Sequence, residues 1–351
     1  MVTAYALAFG NLLLLGGVLT EYLNWRWSLY INVILALVAV AAALRILSNQ
    51  PRDPQARLDP AGSLAVVAGL VAVVYGLSEA ETKGWGAPET LALLASGVAL
   101  LAVFVQVERR IAYPLLPLRV VLDRFRSGSY LAIGLSAVGL FGVFLFLTYY
   151  LQLILDYSPV ITGLAFLPMI GAVTVTSTAA SALLLPRVGP RVLIPAGLLV
   201  AAGGLAILAS RLGPHSRYPT MILPALAVIG VGLGLVFACA INTATYGVAA
   251  EDAGVASALV NTTQQVGGSI GTALLNTVAA SAFSTYLLAH PHGPAAQADA
   301  AVHSYVVAFW VSAGIFAAAA VVCGLVLPSG RLAPATAKTT LATVKTAPAA
   351  A

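Results

Sequence analysis

Long apolar runs constrain this chain more than any other feature of its sequence. A membrane span needs about 20 mainly apolar residues, and lipid leaves backbone groups no partner outside a helix or a closed barrel. These runs are too long and too continuously apolar for the short alternating segments of a barrel strand. The prediction is an all-α integral membrane protein with about ten transmembrane helices. The ten runs cover roughly residues 2–20, 27–47, 61–77, 91–107, 128–151, 161–185, 192–210, 220–243, 257–286 and 305–327.

Composition supports a membrane protein and gives no sign of an enzyme. Hydrophobic residues make up 60% of the chain and charged residues 8%, against about 25% charged in an average soluble domain. Cys239 and Cys323 fall inside apolar runs, which favours packing over a disulfide or a metal site. The "GGSIG" stretch, residues 267–271, matches a hydrolase nucleophile pattern but lies within an apolar run. We therefore expect no catalytic residue, no cofactor and no metal, with a His290 and His292 site as a weak alternative.

The distribution of basic residues predicts the orientation of the chain. If the spans alternate, thirteen of the seventeen Lys and Arg residues fall on one side of the membrane and four on the other. Basic residues are retained on the cytoplasmic side, so both termini are expected to be cytoplasmic, in the cell membrane. The net charge of +5 thus indicates topology and not nucleic-acid binding, because the basic residues are dispersed at span ends. The four on the outer side are Arg26, Lys83, Arg211 and Arg217.

Six motifs, in order along the chain, resemble one transporter family. They are "GGVLTEYLNWRWSLYIN", "GLSEAETKGWG", "RRIAYPLLPLRV", "YYLQLILDYSPVITGLAFLP", "RVGPR" and "NTTQQVGGSIGTALL". Together they resemble the fourteen-span drug:proton antiporters, the EmrB/QacA type, of the major facilitator superfamily. The resemblance implies the helical bundle of that superfamily. It also implies export of small amphipathic molecules by alternating access, with the proton gradient as the energy source.

The resemblance also implies a division of the chain. Residues 1–47 correspond to two spans of an N-terminal bundle, so the family's first four spans are missing and would be partners of this chain. Residues 48–127 hold a linker, an inserted two-span hairpin and a basic cytoplasmic loop, and 128–327 form a C-terminal six-helix bundle. Residues 328–351, rich in Ala, Thr and Pro, are expected to be a disordered cytoplasmic tail.

A non-transporting remnant of such a transporter is the alternative interpretation. Leu12 and Leu13 stand where the family has Gly and Pro, and Pro186 stands where an aspartate is expected. The lost Pro and Gly would supply a bend. The lost acid would supply an ion pair in a cytoplasmic gating loop, of which Arg187, Gly189 and Arg191 remain.

Glycines in two of the runs predict close helix packing, because small residues let helix backbones approach in lipid. In the family, the corresponding helices lie at the seam between the two halves. Ordinary helix packing without a role in coupling is the alternative. The glycines are Gly10, Gly16 and Gly17 in the first run and Gly268 and Gly271 in the ninth.

Polar residues within the spans are the candidates for a substrate pathway. Asn261, Gln265, Gly268 and Thr272 follow one another at i, i+4, i+7 and i+11, so they share one helix face. Buried amides in lipid must find partners or water, so this stripe either faces a water-filled path or holds helices together. Gln264 lies beside it.

Two further groups of polar residues lie on spans that correspond to cavity-lining helices of the family. Tyr149, Tyr150 and Gln152 lie near the outer end of the fifth span, and Asn242 lies near the inner end of the eighth. Aromatic rings beside amides suit amphipathic, often cationic substrates. Tyrosines that simply mark the membrane interface are the alternative.

The sequence shows no proton carrier within the spans. Intramembrane acids are the usual carriers in proton-coupled transport. Four acidic residues lie at the ends of spans: Glu21, Asp156, Glu251 and Asp252. In the family such acids are expected mainly in the first spans.

Overall fold

The computed structural model describes residues 15–46, 59–111, 116–214, 216–249, 252–290 and 296–329. Within these ranges all regular secondary structure is helical, and nine helices are long and apolar enough to cross a membrane. The predicted all-α fold is confirmed. The first predicted run, 2–20, falls mostly outside the described residues, although residues 15–22 are helical.

The nine long helices of the described ranges are numbered in chain order. They are α1 (Trp25–Ile46), α2 (Pro60–Lys83), α3 (Pro88–Glu108), α4 (Arg124–Tyr149), α5 (Pro159–Ala179), α6 (Pro190–Arg211), α7 (Leu223–Thr245), α8 (Ala253–Ala289) and α9 (Ala296–Val326). Wider π-helical turns extend three of them: Tyr150–Ile154 follows α4, Ala180–Leu184 follows α5 and Tyr218–Ile222 precedes α7.

Side-chain caps start two of the bundle helices. The Asp123 carboxylate accepts hydrogen bonds from the backbone N–H groups of Phe125 and Arg126, and the Ser158 hydroxyl accepts one from Ile161. Such caps satisfy N–H groups that have no partner within the helix. The sequence therefore encodes where α4 and α5 begin.

The outer turn of the hairpin is shorter than the interval between the predicted runs 61–77 and 91–107. Helix α2 runs on to Lys83 and α3 begins at Pro88. Lys83 pairs with Glu79 one helical turn earlier, with 2.9 Å between Nζ and Oε2, and with Glu89 across the turn. These contacts raise the pKa of Lys83. Gly84, at φ +90°, ends α2 in a conformation that suits glycine.

Part of the basic connection between the hairpin and the bundle, residues 116–121, packs against the protein. Residues Leu118–Val121 form one helical turn. The Arg119 guanidinium forms an ion pair with Asp252, with 3.0 Å between Nη2 and Oδ2, just before α8 begins. Arg119 therefore holds this helical turn to the start of α8, where the sequence indicated only a loop.

Helices α4 to α9 pack into one bundle, and the hairpin α2–α3 packs on α8 through α2. The Trp85 indole N–H donates to the Thr277 hydroxyl of α8 at 3.0 Å. Helix α1 has no buried residue. Cys239 and Cys323 are free thiols buried in the bundle, where they serve packing as predicted. The best-buried large side chains of the bundle include Ile133, Leu147, Phe166, Leu198, Leu205, Phe309 and Phe316.

The predicted division at residues 47, 127 and 327 stays a prediction. Most of the linker 48–58 and the tail beyond 329 lie outside the described residues.

Candidate functional site: a polar cavity beside a helix seam

A cavity of about 860 Å³ opens where the helical residues 15–22 and the start of α1 meet α4, α5 and α8. Ligand sites in proteins typically measure about 300–1,000 Å³, so its size suits a drug-sized molecule. It is lined by Gly16, Gly17, Thr20, Ser28, Leu140, Phe141, Phe144, Thr148, Gln152, Pro159, Thr162, Gly163, Phe166, Asn261, Gln264 and Gln265.

Helix α4 and its extension contribute one continuous face to the cavity. Phe141, Phe144, Thr148 and Gln152 follow at i, i+3, i+7 and i+11, the spacing of residues that share a helix face. The sequence pattern identified Gln152 but missed the other three. Extending the periodicity from Gln152 toward the N-terminus would have found them.

Helix α5 contributes its first two turns. Pro159, Thr162, Gly163 and Phe166 lie at i, i+3, i+4 and i+7 and all line the cavity. None of these residues was predicted as a pathway residue, because the run is mainly apolar and carries no amide or charged side chain on this face. The ring centroids of Phe144 and Phe166 lie 5.0 Å apart, so α4 and α5 together form an aromatic wall.

Helix α8 contributes the amides. Asn261 and Gln265 are exposed to the cavity and Gln264 is half-buried. The side-chain amides of these residues form no hydrogen bond to the described part of the chain, so their donors and acceptors remain available to a ligand or water. None of the described side chains that line the cavity is ionisable. Apolar aromatic surface beside neutral hydrogen-bonding groups suits an amphipathic ligand.

A second, smaller cavity of about 270 Å³ lies between α2 and α8. Thr272 and Gly268 line it, so the polar stripe of α8 serves two cavities. Phe141 and Gln265 line both. The Phe141 ring lies 2.6 Å from where a Cβ on Gly268 would stand, so the ring packs directly against this glycine. The Thr272 hydroxyl donates to the Gly268 carbonyl at 2.9 Å.

Two tyrosines predicted as pathway residues do not line the cavity. Tyr150 is fully buried, and its hydroxyl donates to the Gly213 carbonyl at 2.6 Å. Tyr149 points to α9, with its ring centroid 6.5 Å from that of Tyr305. Each residue of a helix turns about 100° from the last, so these two leave the face of Thr148 and Gln152.

Asn242 also lies away from the cavity and joins two helices. Its side-chain N–H donates to the Ser181 hydroxyl at 3.0 Å and to the Ala238 carbonyl at 2.7 Å. The amide is thus satisfied between α7 and the extension of α5. Ser181 is the partner that the sequence pattern could not identify.

The seam beside the cavity brings two backbones into contact. A Cβ on Gly17 would stand 2.8 Å from the Pro159 carbonyl oxygen and 3.2 Å from the Val160 Cα, whereas a Cβ on Gly16 would have nothing within 4 Å. Gly17 therefore packs and Gly16 faces open space. Gly10 lies outside the described residues.

The same seam carries a carboxylate. Glu21 Oε2 accepts a hydrogen bond from the Val160 backbone N–H at 2.9 Å. Hydrogen bonding from the Ser158 side chain and from Val160 lowers the pKa of Glu21. An anion at a helix N-terminus is also favoured by the helix dipole, so Glu21 holds helical residues 15–22 to the start of α5.

Glycines form the seam between α4 and α8. Cβ atoms on Gly267 and Gly271 would collide with the backbones of Gly134 and Val138. The two glycines lie four residues apart on α8, a spacing that allows helices to approach closely in lipid.

The predicted gating loop joins α5 to α6. Gly189 has φ +88° and precedes the first residue of α6, so this position suits glycine. Arg187 and Arg191 are exposed and form no ion pair within the described part of the chain. Their role in gating stays a prediction.

Comparison with known proteins places the chain among transporters. Residues 1–272 match the Major Facilitator Superfamily. The puromycin resistance protein pur8 of Streptomyces alboniger is 50% identical over 320 residues, which cover 90% of this chain and 63% of that protein. The cephamycin export protein CmcT of Amycolatopsis lactamdurans is 38% identical over 288 residues, 80% of this chain and 59% of that protein. The tetracenomycin C resistance and export protein of Streptomyces glaucescens is 32% identical over 270 residues, 76% of this chain and 49% of that protein.

The chain spans less than two thirds of the length of these relatives. Their names describe resistance to antibiotics or export of them, which agrees with the drug exporters that the motifs resemble. A match over more than three quarters of the residues, together with spanning helices, confirms the family. The chain belongs to the Major Facilitator Superfamily.

Proposed function

We propose that this protein exports amphipathic antibiotics across the cell membrane by alternating access, driven by the proton gradient. The observation that carries the proposal is the cavity of about 860 Å³ at the seam, where the aromatic wall of α4 and α5 faces the amides of α8. The relatives' names support export as its use. Puromycin is the first substrate to test, because the relative at 50% identity is named for resistance to it.

The topology proposed with this function places both termini in the cytoplasm. The distribution of basic residues supports that orientation, with the hairpin turn at Gly84 on the outer side. Transport and not catalysis is proposed, because the relatives are named for resistance and export. The four N-terminal spans that the family resemblance implies are proposed as a partner of the seam.

Puromycin flux in liposomes tests the proposal. The full chain is reconstituted alone and together with the part of the puromycin relative that this chain does not match, and a pH gradient is imposed. We expect puromycin movement that stops when a protonophore collapses the gradient. Absence of gradient-dependent flux in both preparations would contradict the proposal and favour a non-transporting remnant.

A pair of glutamine variants separates the cavity from general effects. Gln265→Leu removes a hydrogen-bonding amide from the cavity wall, and Gln106→Leu makes the same change at an exposed position of α3 outside the cavity. The loss of one hydrogen bond is about 1 kcal/mol, so Gln265→Leu should lower puromycin flux about fivefold. Gln106→Leu should leave it unchanged. If both changes lowered puromycin flux equally, the cavity would not be the site of transport.

A further inference from the structure

The small cavity of about 270 Å³ between α2 and α8 is polar, although its lining residues belong to spanning helices. Four of its eight lining residues carry a hydroxyl or amide group, and none of the eight is ionisable. The four are Ser78 of α2 and Gln265, Ser269 and Thr272 of α8. The small cavity therefore suits an uncharged chemical group that forms hydrogen bonds.

Both acceptors and donors are available in the small cavity. The Thr272 hydroxyl donates to the Gly268 carbonyl at 2.9 Å. The Ser269 hydroxyl donates to the Gln265 carbonyl at 3.0 Å. The lone pairs of these two hydroxyl oxygens remain as acceptors. The Ser78 hydroxyl and the Gln265 amide form no hydrogen bond to the described part of the chain, so both can donate to a ligand.

The size of the small cavity suits one end of a ligand. Sites that hold a whole drug-sized molecule typically measure about 300–1,000 Å³, and the small cavity lies below that range. The large cavity, of about 860 Å³, lies beside it, and both are lined by Phe141 and Gln265. These two side chains therefore form the boundary between the two cavities.

Phe141 is the side chain at this boundary that can open it. Its side chain is 40% exposed, and its ring packs against Gly268, 2.6 Å from where a Cβ would stand. A phenylalanine ring turns about two side-chain dihedral angles, and exposed side chains change rotamer within nanoseconds. Rotation of the Phe141 ring therefore joins the two cavities without a change in the backbone.

The helices around the ring are held in place. Cβ atoms on Gly267 and Gly271 would collide with the backbone of α4, so α4 and α8 are in contact on both sides of Gly268. Helix α2 is attached to α8 by the hydrogen bond between the Trp85 indole and the Thr277 hydroxyl. Separation of the helices would break these contacts, so rotation of the Phe141 ring is the smaller change.

We propose that the small cavity is an accessory subsite, which receives an uncharged, hydrogen-bonding end of an amphipathic ligand bound in the large cavity. Phe141 is the specificity-determining residue, because the position of its ring sets how long a ligand the two cavities accept. This inference rests on the proposed function, since the subsite belongs to the same ligand site.

Thiol labelling tests the boundary without any ligand. Thr272→Cys is placed in a background without Cys239 and Cys323, and the full chain is reconstituted in liposomes. A membrane-impermeant thiol reagent can reach this position only through water, and the Phe141 ring stands in the way from the large cavity. Adding Phe141→Ala should make the reaction about tenfold faster, equivalent to a barrier lower by about 1.4 kcal/mol.

Two further positions control the labelling. Asn261→Cys, in the large cavity alone, should react at the same rate with and without the Phe141 ring. Ser269→Cys repeats the measurement on the wall of the small cavity. Equal rates at Thr272→Cys and Ser269→Cys with and without the ring, or no reaction in either background, would overturn the proposal.

Binding of two ligands of different length tests the subsite itself. The probes are puromycin and its aminonucleoside, which lacks the methoxytyrosyl group. Phe141→Ala should raise the affinity for puromycin relative to the aminonucleoside about fivefold, the contribution of one hydrogen bond. Thr272→Val in that background should remove the gain. Thr82→Val, at an exposed threonine of α2 outside both cavities, should not.

The two ligands also separate this inference from the proposed function. If both compounds bind and Phe141→Ala leaves the ratio of their affinities unchanged, the accessory subsite is wrong and the export proposal stands. If neither compound binds to any variant, the proposed function fails for puromycin and the subsite fails with it, whatever the labelling rates show.

Discussion

The backbone of Gly17 lies directly against the backbone of Pro159. A Cβ on Gly17 would stand 2.8 Å from the Pro159 carbonyl oxygen, a distance shorter than real Cβ atoms show. The contact is backbone to backbone, and it closes one edge of the cavity that both residues line. Close backbone packing at Gly17 therefore holds helical residues 15–22 to α5. Glu21 adds a hydrogen bond to the Val160 N–H.

Gly17→Ala is predicted to destabilise this seam. Inserting a methyl group into a packed interface costs about 1–3 kcal/mol. Gly16→Ala is the matched control, because the new methyl group would meet nothing within 4 Å and alanine favours a helix by about 0.5–1 kcal/mol. Thermal unfolding in the same detergent should show a lower midpoint for Gly17→Ala and an equal or higher one for Gly16→Ala. Equal midpoints for both would mean that the seam is not closed in solution.

Gly271→Ala is predicted to separate α4 from α8. The added methyl group would collide with the backbone of Val138, whereas one on Gly314 of α9 would enter open space. We expect Gly271→Ala to lower the free energy of unfolding by about 1–3 kcal/mol and Gly314→Ala not to lower it. Unfolding monitored by circular dichroism measures both. A neutral Gly271→Ala would show that the two helices pack less closely than described.

Asn242 and Ser181 are predicted to be energetically coupled. Their hydrogen bond joins α7 to the extension of α5, and hydrogen bonds between membrane helices average about 0.6 kcal/mol in measured cycles. A double-mutant cycle of Asn242→Leu and Ser181→Ala, measured by unfolding, should give a coupling energy of about that size. Additive effects would assign Asn242 to another partner, including the pathway role predicted from the sequence.

Glu21 is predicted to stabilise the seam only where it is ionised. Hydrogen bonds lower its pKa below the ordinary value of 4.5, so its contribution is complete above that value and disappears as pH falls through the lowered pKa. The unfolding midpoint of the unchanged protein minus that of Glu21→Gln should be positive and constant near neutral pH and should approach zero in acid. A difference that does not depend on pH would exclude the ionised contact.

Asn261 is predicted to be reachable from water. It is exposed in the cavity, so Asn261→Cys should react with a membrane-impermeant thiol reagent in a background without Cys239 and Cys323. Ala238→Cys, at a fully buried position of α7, is the control and should remain unlabelled. Complete inertness of Asn261→Cys under every condition of transport would mean that this part of α8 holds helices together instead.

Periodicity along a helix was sufficient to predict part of the cavity and not the rest. Asn261 and Gln265, with Gln264 beside them, were identified because buried amides in an apolar run need partners or water. Gln152 and Tyr150 were identified together, because aromatic rings beside amides suit amphipathic substrates. Gln152 lines the cavity, whereas Tyr150 is buried with its hydroxyl on Gly213. The sequence pattern alone cannot distinguish a polar residue that lines a cavity from one that is buried with a hydrogen-bond partner.

The sequence pattern also failed to show that two acidic residues lie close together. Asp59 and Glu108 lie 49 positions apart in the chain at span ends, and neither was among the acids singled out from the sequence. The hairpin brings them together because α2 and α3 pack side by side, and Gly62 leaves space between them.

The long apolar runs and the basic residues between them decided the fold class and the expected topology, because burial in lipid forces each run into a helix. Caps such as Ser158 and glycines such as Gly189 also set helix ends locally. Which helix face meets which neighbour depends on contacts between distant residues. Only the tertiary structure could therefore place Phe141 over Gly268, Gly17 against Pro159, and the Asp59 carboxyl beside that of Glu108.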